Sequence, residues 1–292
     1  MSHKTDWFYN KKWGLFNHLL GGNSPDWSDY IDSIDAESIA DQIAETNVGY
    51  LFLTVMQRGR TMLAPNATFD RITGYKPGEA CAKRDFIEDM YQALHKRGID
   101  LMLYYTGDGP LDDPQAGKAF GYVSQNDKVP MDFVRKWSEV LQEYSVRYGS
   151  KVKGWWVDGS YDFIGYDEPR LKIIADAIRA GNPDALIALN NGVLPRVAKY
   201  SVSDDYTAGE MTDFTDLPDS RFVDGVQWHL LSYLGIKNWC APGCRFTGGY
   251  MRDYIKKVNE LGGVVTIDFY MDSDWRIDKD QMETLRALKD LR

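Results

Sequence analysis

A chain of 292 residues, 43% hydrophobic and 26% charged, is long enough to bury a sizeable core, and this composition excludes a disordered chain. Its formal net charge of −9 repels phosphate backbones, and no Lys/Arg cluster interleaved with aromatics overrides it, so no nucleic-acid partner is expected. No apolar run approaches the roughly 20 residues that cross a bilayer, so no membrane partner is expected either, and the compartment stays open.

The elements follow in chain order. Trp13 to Phe16 reads as a first short strand and Tyr50 to Val55 as a second, followed by a long loop, Met56 to Lys83, carrying Phe69 and Tyr75. Phe86, Ile87, Met90 and Leu94 form a helical stripe, and Gly98 then turns the chain into a strand over Leu101 to Tyr105. A second long loop, Gly107 to Val129, holds Phe120 and Tyr122. Phe133, Val134, Trp137, Val140, Leu141 and Tyr144 recur with a period near 3.6, with Pro130 and Asp132 suited to the first turn of that helix and Gly149 to its end. Trp155 to Val157 is the fourth strand. Leu171, Ile174 and Ile178 mark a helix, Ala185 to Leu189 a strand, Ser201 to Tyr206 a short one, and Val226 to Trp228 a seventh. Tyr254, Ile255, Val258 and Leu261 precede an eighth strand, Val264 to Ile267, and Met282, Leu285 and Leu288 mark the last helix.

Eight strands with helices interleaved predict an α/β fold, a single (β/α)8 TIM-like barrel over residues 1–292 with its reacting groups at the carboxyl ends of the strands. A doubly wound open sheet shares the periodicity, but no Gly-x-Gly-x-x-Gly turn follows the first strand. The two long loops lie over the mouth of such a barrel.

Polar residues at the predicted strand ends are Asn17 and His18, Gln57 and Arg58, Tyr104 and Tyr105, Asp158, Asn190 and Asn191, Asp205 and Glu210, His229, and Asp268. On one rim they make a pocket of carboxylates and aromatics, which suits carbohydrate chemistry. Asp158 stands out because a buried strand, Gly154-Trp-Trp-Val, has no packing reason to end on a carboxylate; capping of the next turn is the alternative. Glycosidic cleavage needs two carboxyl groups flanking the anomeric carbon, and Asp158 with Glu210 is the best pair; Asp158 with Asp268 or Asp162 is a further possibility. An indole face packs on the C–H face of a pyranose, which makes Trp27, Trp156, Trp228, Trp239 and Trp275 candidate platforms. Cys240 and Cys244 flank Ala-Pro-Gly and read either as a loop bridge or as free thiols; with His3, His18, His95 and His229 scattered, no metal cluster follows from spacing and no cofactor is expected.

Along nearly its full length the chain resembles the catalytic barrel of the α-L-fucosidases of glycoside hydrolase family 29. Trp13-Gly-Leu-Phe-Asn-His18 resembles the first-strand motif leading to a sugar-binding histidine, and Ala82-Lys-Arg-Asp85 with Gly98-Ile-Asp-Leu-Met-Leu-Tyr-Tyr105 resembles the Arg-Asp helix and the strand that ends in paired tyrosines. Trp155-Trp-Val-Asp-Gly159 resembles the motif whose Asp is the nucleophile, and Asp205-Tyr-Thr-Ala-Gly-Glu210 the segment whose Glu is the acid/base in part of the family. Glu260-Leu-Gly-Gly263 resembles the glycine-rich entry to the last strand.

The resemblance implies a retaining glycosidase that cleaves a terminal sugar from an oligo- or polysaccharide, with Asp158 attacking the anomeric carbon and Glu210 as acid and then base. His18, Gln57, Arg58, Tyr105, Trp156, Trp228, His229 and Asp268 are the expected substrate-binding residues. The sequence departs from the family where two adjacent histidines are replaced by Gln57 and Arg58, where Asn190-Asn-Gly192 stands in place of an arginine, and where a Trp-Glu pair reads Trp228-His229. If Arg58 enters the pocket, its charge favours an anionic sugar; the alternative is a salt bridge to Asp70 or Glu79. A barrel that binds a glycan without cleaving it is the competing function. The family's common C-terminal β-sandwich is not expected after the helix at Lys279 to Leu291.

Overall fold

The computed structural model describes residues 3–18, 27–59 and 62–292. Strands β1 (Trp13–Asn17), β2 (Tyr50–Thr54), β3 (Asp100–Thr106), β4 (Val152–Asp158), β5 (Leu186–Leu189), β8 (His229–Tyr233) and β9 (Val264–Phe269) form one curled parallel sheet of seven strands, in the order β5-β4-β3-β2-β1-β9-β8. A two-residue antiparallel pair, β6 (Phe222–Val223) and β7 (Val226–Gln227), lies outside it.

The helices are α1 (Asp6–Lys11), α2 (Trp27–Asp32), α3 (Ala36–Ala44), α4 (Ala67–Thr73), α5 (Phe86–His95), α6 (Pro114–Phe120), α7 (Met131–Tyr148), α8 (Glu168–Gly181), α9 (Gly248–Glu260) and α10 (Lys279–Arg286). Several begin as their sequences dictate, with an aspartate or asparagine accepting from first-turn amides: Asp35 for α3, Asn66 for α4, Asp85 for α5 and Asp113 for α6. Helices α4 and α6 fall within the two stretches read from sequence as long loops.

Burial divides the apolar residues into two layers. Trp13, Leu15, Leu51, Leu53, Leu103, Trp155 and Val157 face outward from the sheet and join the buried stripes of α5, α7, α8 and α9. Phe16, Tyr50, Phe52, Met102, Tyr104, Trp156, Ala188 and Leu231 face inward and form a second cluster with Phe8, which closes the amino-terminal end of the sheet from α1. The period of 2 along each strand produces this division.

Among the described residues the sheet has seven strands and a complete eight-stranded barrel is not seen. The predicted sixth strand, Ser201 to Tyr206, is irregular, and the chain from Asp205 to Met211 meets the sheet through isolated parallel bridges, Tyr206 to Gln227 and Glu210 to Leu231. Side chains supply part of the missing ladder: Asp205 Oδ2 accepts from Ile187 N at 3.0 Å and Asp204 Oδ1 from Leu189 N at 2.9 Å. The predicted seventh strand, Val226 to Trp228, also begins too early, because the sheet strand starts at His229. Among the described residues no helix is long and apolar enough to cross a membrane.

Candidate active site

The carboxyl ends of the strands surround a cavity of about 280 Å³ lined by His18, Tyr104, Trp156, Asp158, Glu210 and Trp239, with Gln57 and Cys240 at its edge. Asp158 is the last residue of β4. Its Oδ1 accepts from Tyr161 Oη and Asn190 Nδ2, both at 2.9 Å, and its Oδ2 from Tyr104 Oη at 2.8 Å. Burial, then the neighbouring Asp158 charge, raises the pKa of both phenols, so they stay protonated donors. Gln57 Nε2 approaches Tyr104 Oη at 3.4 Å.

Glu210 enters from the irregular segment beside β8. Asn190 Nδ2 donates to Glu210 Oε2 at 2.6 Å and, with its other hydrogen, to Asp158 Oδ1. The amide cannot turn around freely, because its Oδ1 accepts from Gly192 N at 3.2 Å. Burial, reinforced by the Asp158 charge, pushes the Glu210 carboxyl up to about 7. Two carboxyl groups of one site thus hold different environments, one clasped by three donors and the other largely desolvated.

Opposite these groups, His18 Nδ1 donates to Asp268 Oδ1 at 2.7 Å, and Cys240 N donates to Asp268 Oδ2 at 2.8 Å. The carboxylate can only accept, so this fixes the ring with Nε2 as its second functional nitrogen. His18, Cys240 and Asp268 also bring three donor atoms within 4.8 Å of one another, a grouping that spacing in the sequence did not show. Burial raises the Cys240 thiol pKa and opposes its thiolate form, and Asp268 accepts one N–H on each oxygen, from His18 and from the Cys240 backbone. Cys240 and Cys244 are both free thiols.

Other expected site residues lie elsewhere. Tyr105 faces outward, stacked on Trp137 with ring centroids 5.1 Å apart, and its neighbour Tyr104 takes the inward position. His229 begins β8 and therefore sits near the closed base, donating from Nδ1 to Thr207 O at 2.9 Å, with Thr266 Oγ1 2.6 Å from Nε2. Burial depresses its pKa to about 4. Trp228 is buried in the outer layer, as is Trp27, whose indole N–H donates to Met62 O at 2.9 Å. Arg58 does not line the cavity: its side chain is 44% exposed and lies 3.8 Å from Asp112, rather than from Asp70 or Glu79. Asp268 is buried behind His18.

Tyr161 and Asn238 were not singled out in the sequence. Tyr161 lies three residues beyond the strand-ending Asp158, within reach of its carboxylate, and that short spacing was the available signal. Asn238 gave no local signal, since only the return of the loop after β8 brings it to the cavity.

Comparison with solved structures finds similar folds in glycoside hydrolases. The chain superposes on the endo-fucoidan hydrolase MfFcnA4 of glycoside hydrolase family 107 with a TM-score of 0.78 at 16% identity, over 98% of this chain and 53% of that one. It superposes on another endo-fucoidan hydrolase of that family, P5AFcnA, with a TM-score of 0.73 at 17% identity, over 97% and 92% of the two chains. For a family 29 α-L-fucosidase from Bacteroides thetaiotaomicron the TM-score is 0.67 at 15% identity, over 100% and 73%. The chain spans about half the length of MfFcnA4. At these identities the likeness is one of fold. No family model matches the sequence, and no curated protein matches it.

Proposed function

We propose that the protein is a retaining glycoside hydrolase acting on a fucose-containing glycan, with Asp158 as nucleophile and Glu210 as acid/base. The observation that carries this reading is the shared amide. Because one nitrogen of Asn190 bonds both carboxyl groups, Asp158 Oδ1 and Glu210 Oε2 lie no more than about 5.5 Å apart, which supports the close carboxyl pair a retaining enzyme uses.

In the first step Asp158 Oδ2, the oxygen with a single donor, forms a bond to the anomeric carbon as the glycosidic C–O bond breaks, and protonated Glu210 gives its proton to the departing oxygen. In the second, Glu210, now a carboxylate, takes a proton from water as that water attacks the anomeric carbon, releasing the sugar and restoring the Asp158 carboxylate. The elevated pKa of Glu210 suits a group that must hold a proton near neutrality and accept one back. Tyr104 and Trp156, stacked with centroids 5.6 Å apart, and Trp239 supply the apolar walls for the ring, and His18 Nε2 is placed for a sugar hydroxyl. Fucose is the proposed sugar because the solved neighbours of this fold are named for fucoidan and fucoside hydrolysis.

The test is release of 4-nitrophenol from 4-nitrophenyl α-L-fucoside by native, Asp158→Ala and Glu210→Ala proteins. Turnover that disappears in Asp158→Ala, and that azide restores in Glu210→Ala as a fucosyl azide, supports the assignment. Binding of the sugar with no turnover in the native protein would instead favour a non-catalytic glycan-binding barrel.

A further inference from the structure

His18 and Cys240 line two cavities, the one of about 280 Å³ described above and a second of about 410 Å³ bounded on its far side by Tyr30, Tyr270 and Trp275. Asp268, near the end of β9, stands behind them. Both cavities therefore open onto an imidazole and a thiol that share one buried carboxylate, with the three donor atoms within 4.8 Å of one another.

The thiol is aimed at this carboxylate by its backbone. Cys240 adopts a left-handed φ of 50°, an uncommon conformation for a residue with a Cβ. The loop after β8 imposes it. Gln281 of α10 donates from Nε2 to Ala241 O at 2.9 Å and to Gly243 O at 2.7 Å, Gly243 N donates to Asp278 Oδ2 at 3.1 Å, and Leu234 N donates to Asp268 O at 3.1 Å. Cys240 Sγ consequently lies 3.7 Å from Asp268 Oδ1, the oxygen that accepts from His18 Nδ1 at 2.7 Å. A thiolate, an imidazole and a carboxylate together suit zinc and softer ions, whereas calcium and magnesium prefer oxygen donors alone. Bonds of about 2.0–2.3 Å to one tetrahedral zinc ion set its donor atoms about 3.5 Å apart, so shifts of about 1 Å bring all three side chains onto one ion.

We propose that His18, Cys240 and Asp268 bind a thiophilic divalent cation of zinc's class, and that the bound ion hinders the sugar's entry to the first cavity. The thiol hydrogen passes to solvent as the sulfur–metal bond forms, and the ring hydrogen of His18 moves from Nδ1 to Nε2 as Nδ1 takes the ion. The nitrogen placed for the sugar thereby changes from acceptor to donor. The charge of the ion offsets both the carboxylate and the thiolate, and so overcomes the burial that otherwise keeps the thiol protonated. The effect on the sugar rests on the reading of the first cavity as the cleavage site; the binding of the ion does not.

Titration of the chelator-treated protein with cadmium chloride reads the site directly, through the ultraviolet charge-transfer band of a cadmium–thiolate bond. A saturable band is expected, displaced by zinc chloride and not by calcium or magnesium chloride. Cys240→Ser is expected to abolish it and Cys244→Ser to keep it. His18→Ala and Asp268→Asn are each expected to weaken binding by about tenfold or more, since even groups behind a metal's direct ligands contribute that much. No band in the native protein, a band that survives in Cys240→Ser, or an affinity unchanged in both His18→Ala and Asp268→Asn overturns the site. Zinc is further expected to raise KM for 4-nitrophenyl α-L-fucoside in the native protein and not in Cys240→Ser; a native KM indifferent to zinc overturns the effect on the sugar. If no glycoside is cleaved, the hydrolase reading fails, the cadmium titration still decides the ion site, and calorimetry with fucose decides the effect: binding weakened by zinc upholds it, and equal binding overturns it.

Discussion

Asn190 holds Glu210 by a 2.6 Å bond from the same nitrogen that donates to Asp158. Removing this amide frees both carboxyl groups at once and takes from Glu210 the bond that opposes its elevated pKa. Asn190→Ala is expected to lower kcat/KM on the aryl fucoside by about 10- to 100-fold, the effect of losing a hydrogen bond to a charged group. The alkaline limb of its pH profile is also expected to move upward. A rate loss with an unmoved profile would assign Asn190 a purely structural part.

The native pH profile tests the proton donor directly. In the proposed mechanism Glu210 must be protonated to assist departure, and its carboxyl is pushed up to about 7, so kcat/KM is expected to fall as pH rises through that value. Stability follows the same proton: the folded state holds it to higher pH than the unfolded chain does, so stability falls as pH rises from about 4.5 to about 7 and the loss is complete above that. Thermal melts of Glu210→Gln should therefore exceed native at pH 8 and converge with it near pH 4.5, the ordinary range of this carboxyl.

In the proposed reaction Asp268 acts on the sugar through His18. In Asp268→Asn the side chain no longer forces Nδ1 to donate, and the imidazole loses its fixed orientation. An increase in KM of about tenfold for the aryl fucoside, larger than the change in kcat, is expected from steady-state kinetics.

Gly209 precedes Glu210 at a φ of 61°, and a Cβ there would lie 1.9 Å from the carbonyl oxygen of His229. Gly209→Ala must therefore push the segment away from β8 and displace Glu210. A loss of about 2 kcal/mol or more in denaturant unfolding is expected, together with loss of turnover.

Periodicity made α5, α7, α8, α9, α10 and most strands legible: the stripe from Phe133 to Tyr144, bounded by Pro130 and Gly149, is the buried face of α7, whereas the short α1, α2, α3, α4 and α6 were not read as helices. Asp158 was legible because a carboxylate ends a hydrophobic strand. Strand parity was not, since Tyr104 and Tyr105 are adjacent aromatics and either face is apolar. The start of β8 was misplaced by the apolar Val226-Gln-Trp228, and that small shift moved His229 from the expected mouth to the base. The role of Asn190 depends on a meeting of β4, β5 and the Glu210 segment, and no local pattern encodes that meeting. Nor did the alternation of Ser201 to Tyr206 reveal that Asp204 and Asp205 would replace strand bonds with side-chain bonds.

The two proposed catalytic carboxylates are anchored very differently. Asp158 ends a strand paired with β3 and β5, where inserting one residue would break pairing on both sides and turn following side chains to the opposite face. Glu210 rides on an irregular stretch held by isolated bridges together with side-chain bonds, among them Thr207 Oγ1 to His229 O and Trp156 Nε1 to Ala208 O. The proposed nucleophile is thus held by a regular ladder, and the proposed proton donor by a patchwork of bridges and side-chain bonds. A change of length moves the first carboxylate by strand register and the second by loss of that patchwork, so the two proposed groups tolerate different kinds of substitution.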